Sequence, residues 1–218
     1  MSFDIDIVFR YGPLLLSGLW ATVYICALAS LLAVAAGLAT ALLYSLSFRV
    51  VKLLCRVYIE VMRGTPILIL LFVLYYGGPS MGLTLEAETV GIVGLGFYGG
   101  GYFAEIFRAG FQSIPRGQIE AARMLGIPRW AIVVRIQIPQ MLTLIIPPST
   151  NQVIILVKES ALLSIITVAE LTKNTTQMVN ETFAVLEPYV AVALLYWLII
   201  EGIAFAGAAL ERRFGRAS

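Results

Sequence analysis

The 218-residue chain contains no histidine. That removes the usual proton shuttle, the commonest metal ligand and the base of a nucleophilic triad, so neither a metal site nor a catalytic set is expected. It has only two cysteines, Cys26 in an apolar stretch and Cys55 in a basic one, with no C-x-x-C pair. Disulfide frameworks and thiolate clusters are therefore not expected either. Charge is scarce as well. Charged residues make up 13% and hydrophobic ones 60%, with a mean hydropathy of +0.91, whereas soluble domains carry about 25% charge. Such a chain cannot clothe a surface facing water. The net charge of +2 is spread between apolar runs rather than along one stripe, which gives no footprint for nucleic acid. There is no G-x-x-x-x-G-K-[ST] phosphate loop, so no nucleotide site of that kind is expected in this chain. The opening MSFDIDIVFRYGP is acidic where a secretory leader is basic, and the first apolar run is expected to be retained.

What the chain does have is long apolar runs. A bilayer-spanning helix needs about 20 such residues, and Leu14 to Leu46, Ile67 to Leu85, Val90 to Phe107 and Pro188 to Leu210 qualify. The first is long enough to tilt or to begin at the surface. Met141 to Leu171 would reach about 46 Å as a straight helix, beyond a hydrocarbon core of about 30 Å. It also holds Pro147-Pro148 and the polar run Lys158-Glu159-Ser160, and reads as one crossing with a break, continued by a second helical piece. The expected fold is all-α: a single polytopic membrane domain, 1–218, with five crossings.

Basic residues set the expected orientation. Arg49, Lys52 and Arg56 follow the first run; Arg108, Arg116, Arg123, Arg129 and Arg135 lie between the third and fourth; Arg212, Arg213 and Arg216 end the chain. The opposite segments carry Asp4, Asp6 and Arg10, then Glu86 and Glu88, then Lys173, Glu181 and Glu187. This places the N-terminus outside and the C-terminus in the cytoplasm.

Between the third and fourth runs lies SIPRGQIEAARMLGIPRWAIVVRIQIPQ, within a segment 113–137 too polar to cross and too rich in helix formers to be a plain loop. Pro115 suits a helix start, Gln118 to Leu125 favours helix, Gly126 can adopt the left-handed cap and Pro128 can open a second short helix. Ala121 and Ala122 are small enough for another protein to come close, and Ile119, Leu125 and Trp130 offer apolar anchors. A projecting helix of this kind suits docking into a groove of a soluble partner.

The same stretch resembles the E-A-A-x3-G-x9-I-x-L-P motif of permeases from binding-protein-dependent ABC importers. It is matched by Glu120, Ala121, Ala122, Gly126, Ile136 and Pro139, with Ile138 replacing the usual Leu. MRGTPILILLFVLYYG, GYFAEIFRAGFQSIPRGQIEAA, NQVIILVKESALLSIITVAEL and ALERRF are similar to landmarks of the polar amino-acid branch, which takes up solutes such as histidine, glutamine, arginine or opines. The resemblance implies that those residues form a coupling helix seated on an ATPase. It also implies two P-loop ATPase subunits, a second permease, a periplasmic or lipid-anchored solute-binding protein and residence in a bacterial inner membrane.

Polar groups inside a bilayer ask for a function by default. Lys158, Glu159 and Ser160 either hold solute at a broken helix or form an interfacial turn in which Lys158 snorkels and pairs with Glu159. Ser164 would share a face with Ser160, or merely bond its own helix. Tyr98, Tyr102 and Glu105 line one helical face and could recognise a cationic group; alternatively Glu105 pairs with Arg108. Glu60 and Arg63 are spaced to pair, and Gly64-Thr65-Pro66 should loosen the helix there, with Thr65 at a hinge or on the pathway. Gly94, Gly96 and Gly99 spell a dinucleotide fingerprint, but in an apolar span they read as packing positions. Thr172 to Glu187 is expected to be the longest exposed outer loop, where the binding protein would dock. An ion-coupled secondary transporter accounts for the spans but not for a docking helix; a non-transporting structural membrane subunit is the other rival.

Overall fold

The glycines of the third apolar run determine the architecture. In a computed structural model describing residues 4–46 and 48–215, the chain is helical with no strand among those residues. Arg216, part of the expected basic tail, lies outside them. After a short surface helix α1 (Ile5–Arg10), α2 (Gly12–Tyr44), α3 (Arg49–Gly64), α4 (Ile67–Phe72) and α5 (Ala87–Gln112) follow. Then come α6 (Arg116–Met124), α7 (Arg129–Ile132), α8 (Ile138–Glu159), α9 (Leu171–Thr182) and α10 (Leu186–Gly215). Four helical stretches are long and apolar enough to cross a membrane, or five if α3 and the α4 segment count as one bent span.

In lipid, apolar burial drives helix association only weakly, and close packing takes over. Helix α5 is built for that. A Cβ on Gly96 would stand 2.8 Å from Leu32 Cγ; one on Gly99, 2.9 Å from Ala33 Cβ and 3.0 Å from Leu156 Cδ1; one on Gly101, 2.8 Å from Met62 Cβ. Helices α2, α3 and α8 therefore all rest on α5 backbone, and the glycine pattern is a packing surface. Helix α2 answers with small buried residues, Ala33 and Gly37 against α5, while Gly18 and Thr22 of the same helix meet α9.

Three expectations about the elements need correction. The basic stretch after the first run is not a loop: residues 49–64 form α3, which turns through 106° into the α4 segment at Gly64-Thr65-Pro66. Its apolar and charged residues are segregated on opposite faces, which alternation with Arg and Lys hid from a hydropathy reading. Pro147-Pro148 does not break the fourth span, for α8 runs straight through them. Neighbouring helices brace the chain there, Gly110 of α5 packing on Ile145 and Gly207 of α10 on Thr150, the kind of support that makes proline tolerable in a span. The helix instead tightens to 3-10 over Ser160–Ile166 and stops at Thr167, φ +68°.

Thr172 to Glu187 is not an open loop either. Its first part is α9, with Leu171, Asn174, Thr175 and Met178 buried at helical spacing. Asn174 Nδ2 donates to Leu14 O at 2.9 Å, and the Leu171 N–H donates to Thr22 Oγ1 at 3.1 Å. Polar residues thus face inward because α2 supplies partners that the local sequence cannot reveal. The buried Glu170 caps α9, accepting from the N–H groups of Thr172 and Lys173 and from Tyr196 Oη of α10 at 2.9 Å. Toward the far end of α9, hydrogen bonds from Gln177 and Tyr11 hold the Glu181 carboxyl below its usual pKa.

Candidate functional site

The segment between α5 and α8 folds as the spacing of Pro115 and Gly126 requires. Pro115 precedes α6, and Gly126 follows it in the left-handed region, φ +72°. The Gly126 N–H donates to Arg123 O at 2.9 Å and the Ile127 N–H to Ala122 O at 3.1 Å, the paired bonds of a Schellman cap. Chirality makes any other residue cost about 1–2 kcal/mol there.

Glu120 and Ala121 are exposed on α6, but Ala122 is buried against the chain's own helices and offers no surface to a partner. The exposed apolar groups are Met124 at 90%, Leu125 at 80% and Trp130 at 64%. An open crevice of about 400 Å³ runs between Leu125, Pro128, Trp130 and Ile136, with the Arg135 guanidinium 5.9 Å above the Trp130 ring. Met124 is the most exposed anchor and escaped notice in the sequence, where it reads as one more apolar helix residue. Ile136 is half-buried, and Pro139 is exposed at the start of α8. Gln140 Nε2 donates to Gln118 Oε1 at 2.8 Å and ties α6 to α8, a pairing across 22 positions that spacing could not suggest.

The anticipated second short helix is not separate. From α7 the chain passes through one π-helical turn, Val133–Gln137, straight into α8 and its 3-10 continuation, so that Arg129–Ile166 is one helical rod of 38 residues. Along it, Leu156 packs on Gly99 and Leu163 on Gly91. Lys158-Glu159-Ser160 are therefore level with the middle of α5 rather than with either end. Ser160 is fully buried and bonds Val157 O at 2.8 Å; Ser164 bonds Ala161 O at 2.7 Å, its own helix. Lys158 is exposed, and no ion pair joins it to Glu159 among the described residues.

Opposite lies the α5 set. Tyr98 Oη and Tyr102 Oη are 3.3 Å apart. Tyr98 adjoins Gly99, on which Leu156 packs, and so lies near the depth of the α8 polar run; Tyr102 lies one turn further along α5. Glu105 turns away from the tyrosines, toward Arg108, whose Nε donates to Glu105 Oε1 at 3.0 Å and whose Nη2 donates to Oε2. Arg63 does not pair with Glu60: its Nη1 lies 3.9 Å from Glu105 Oε2 and its guanidinium 5.4 Å from the Tyr102 ring centre. The i,i+3 spacing on α3 suggested a local partner, but the side chain reaches across to α5. Thr65, half-buried, sits at the bend itself. Among the described residues no group of His, Cys, Asp and Glu could hold a metal ion.

Comparison with known proteins bears on the family and the fold. The glutamine transport system permease protein GlnP of Escherichia coli is 34% identical over 219 aligned positions, covering 98% of each chain. The arginine transport system permease protein ArtQ of Bacillus subtilis is 30% identical, again over 98% of each. Among solved structures, an amino acid ABC transporter crystallised with histidines superposes with a TM-score of 0.91 at 36% identity, covering 98% of this chain and all of that one. The MetNI methionine ABC transporter shares the fold, with a TM-score of 0.79 at 21% identity over 94% of this chain and 98% of that one. The family model described as binding-protein-dependent transport system inner membrane component matches residues 16–216. The chain belongs to that family: it is the membrane permease of an ABC importer, and the ATPase is a separate subunit.

Proposed function

We propose that this permease carries a polar amino acid, or a derivative such as an opine, into the cell. In this reading the whole chain, 1–218, is one permease domain whose 113–137 segment docks on the ATPase. Two P-loop ATPase subunits holding ATP and Mg²⁺, a second permease (identical or paralogous) and a solute-binding protein outside complete the assembly. Glu120, Ala121, Gly126, Ile136 and Pro139 carry or shape the docking surface; Ala122 supports it from beneath. Tyr98, Tyr102, Lys158 and Glu159 line the solute path, with Thr65 at a hinge beside it. Glu105, Ser160 and Ser164, engaged with Arg108 and their own helix, serve structure first.

The observation that carries the proposal is the rod Arg129–Ile166. One end stands beside the exposed Met124, Leu125 and Trp130; the other brings Lys158, Glu159 and Ser160 to the middle of α5. Closure of the ATPases at the first end would be felt at the second without a flexible joint between them, and switching access by moving packed helices is an established route. A zwitterion needs partners for both its charges in a medium where an unpaired charge costs several kcal/mol, and Lys158 with Glu159 supply both signs. Reconstitution with the ATPase and binding protein in proteoliposomes tests this: ATP-dependent uptake of a polar amino acid is expected. Uptake confined to a non-amino-acid solute, or uptake driven by an ion gradient without ATP, would overturn it.

A further inference from the structure

Arg63 stands where three features meet. It occupies the last turn of α3, one residue before the 106° bend into the α4 segment. It lines an open polar crevice of about 320 Å³ with Tyr44, Arg56, Glu60, Glu105 and Arg108. And its guanidinium lies over the face of Tyr102, whose hydroxyl is the partner of Tyr98.

The contacts of α3 with α5 differ sharply along their length. Toward the middle they are tight: Tyr58 Oη donates to Phe97 O at 2.7 Å, and α3 rests directly on Gly100 and Gly101. At Arg63 the stem still packs, its Cγ 3.7 Å from where a Cβ on Gly101 would stand, and only the guanidinium is loosely held. Glu105 is already held by two hydrogen bonds from Arg108, so Arg63 at 3.9 Å is a second, redundant cation on a committed carboxylate. Its side chain is still 45% exposed. A tight pivot with a weak contact beyond it is the geometry of a latch, because rotation about the pivot breaks the weak contact first.

We propose that Arg63 is a releasable latch at the inner mouth of the solute path. With Arg63 over Tyr102, the guanidinium occupies the cation-binding face that the two tyrosines would otherwise offer, and α3 covers them from the crevice. When the α4 segment moves, α3 turns about Tyr58 and the glycines, Arg63 leaves Tyr102 and Glu105, and the tyrosine pair opens to the crevice. Arg63 is a positioning residue in this scheme; Glu105 and Arg108 form the fixed post it closes against. The inference rests on the transport reading above. An exposed cation–π contact and an exposed ion pair are each worth at most about fivefold in an equilibrium, so losing both should shift the latch toward open by about tenfold.

The test uses the complete reconstituted transporter with Cys26→Ala and Cys55→Ala in the permease. In Arg63→Cys with Glu105→Cys, a short reducible thiol cross-linker should abolish ATP-dependent uptake, and reduction should restore it. If the α3–α5 contact is only a structural staple, the cross-linked protein will transport as well as the reduced one, and the latch is wrong. Arg63→Gln, which needs no cross-link, should raise solute-independent ATP hydrolysis about tenfold over the parent, with Arg63→Lys intermediate because the ammonium keeps the charge but not the stacking plane. Unchanged basal hydrolysis in both would overturn the proposal. Failure of the parent transporter to take up any amino acid would strike the transport reading instead, so the two failures are distinguishable.

Discussion

Helices α5 and α10 are both long apolar spans, yet they play opposite parts. The more hydrophobic of the two, α10, has a mean hydropathy of 2.0 over its most apolar 18 residues and buries only 11% of them within the chain; α5, at 1.3, buries 67%. In water the more apolar helix would be the core. In lipid the solvent is already apolar, so hydropathy marks what faces the solvent and small residues mark what packs. Glycine shows both cases: a Cβ on Gly96 of α5 meets Leu32 at once and one on Gly202 of α10 meets nothing within 4 Å, while one on Gly207, where α10 does pack, would strike Thr150 of α8.

The largest expected effect breaks that contrast or upholds it. Gly96→Leu should overpack the α2–α5 contact, at a cost of about 1–3 kcal/mol or more, and sharply reduce the folded, detergent-stable fraction. Gly202→Leu should be neutral or slightly stabilising, because glycine is the poorer helix former by up to about 1 kcal/mol. Melting curves of the two variants in one detergent check this; equal losses would mean that α10 packs as α5 does.

A smaller effect is expected at Gly126, outside the apolar spans, where the demand is conformational rather than steric. Gly126→Val should cost about 1–2 kcal/mol in the left-handed region. That is too little to unfold the membrane core, but enough to displace Met124 and Leu125. Membrane insertion and melting should stay near the parent while co-purification with the ATPase falls. Normal association would separate the cap from docking.

At mid-depth, Glu159→Gln changes charge and almost no volume. Solute-stimulated ATP hydrolysis should fall about tenfold or more, the scale of a lost charge-assisted hydrogen bond, with assembly intact; Lys158→Gln should alter which amino acids stimulate. Unaltered stimulation in both variants would return these residues to a structural role.

The same contrast explains what could be read from the sequence. The long apolar runs, the Gly126 cap and the packing role of the α5 glycines depend on local composition and spacing, and they were legible. The inward polar face of α9, the seat of Glu170 against Tyr196, the Gln118–Gln140 tie and the reach of Arg63 to Glu105 were not. Each is a pair of polar groups from distant segments, and nothing local distinguishes a polar residue with a buried partner from one facing water. Prolines are ambiguous for a related reason: Pro147-Pro148 ends a helix only where no neighbouring helix braces the backbone, and here α5 packs on Ile145 and α10 on Thr150.

The central claim is that the rod Arg129–Ile166 carries motion from the docking end to the polar residues at the middle of α5. Softening the rod between those ends, by Leu144→Gly with Asn151→Gly at exposed positions of α8, at up to about 1 kcal/mol of helix propensity each, tests it without touching either end. Uptake and ATP hydrolysis are measured together in proteoliposomes. The account predicts that hydrolysis persists while amino acid imported per ATP drops several-fold; an unchanged ratio with the glycines in place would contradict it.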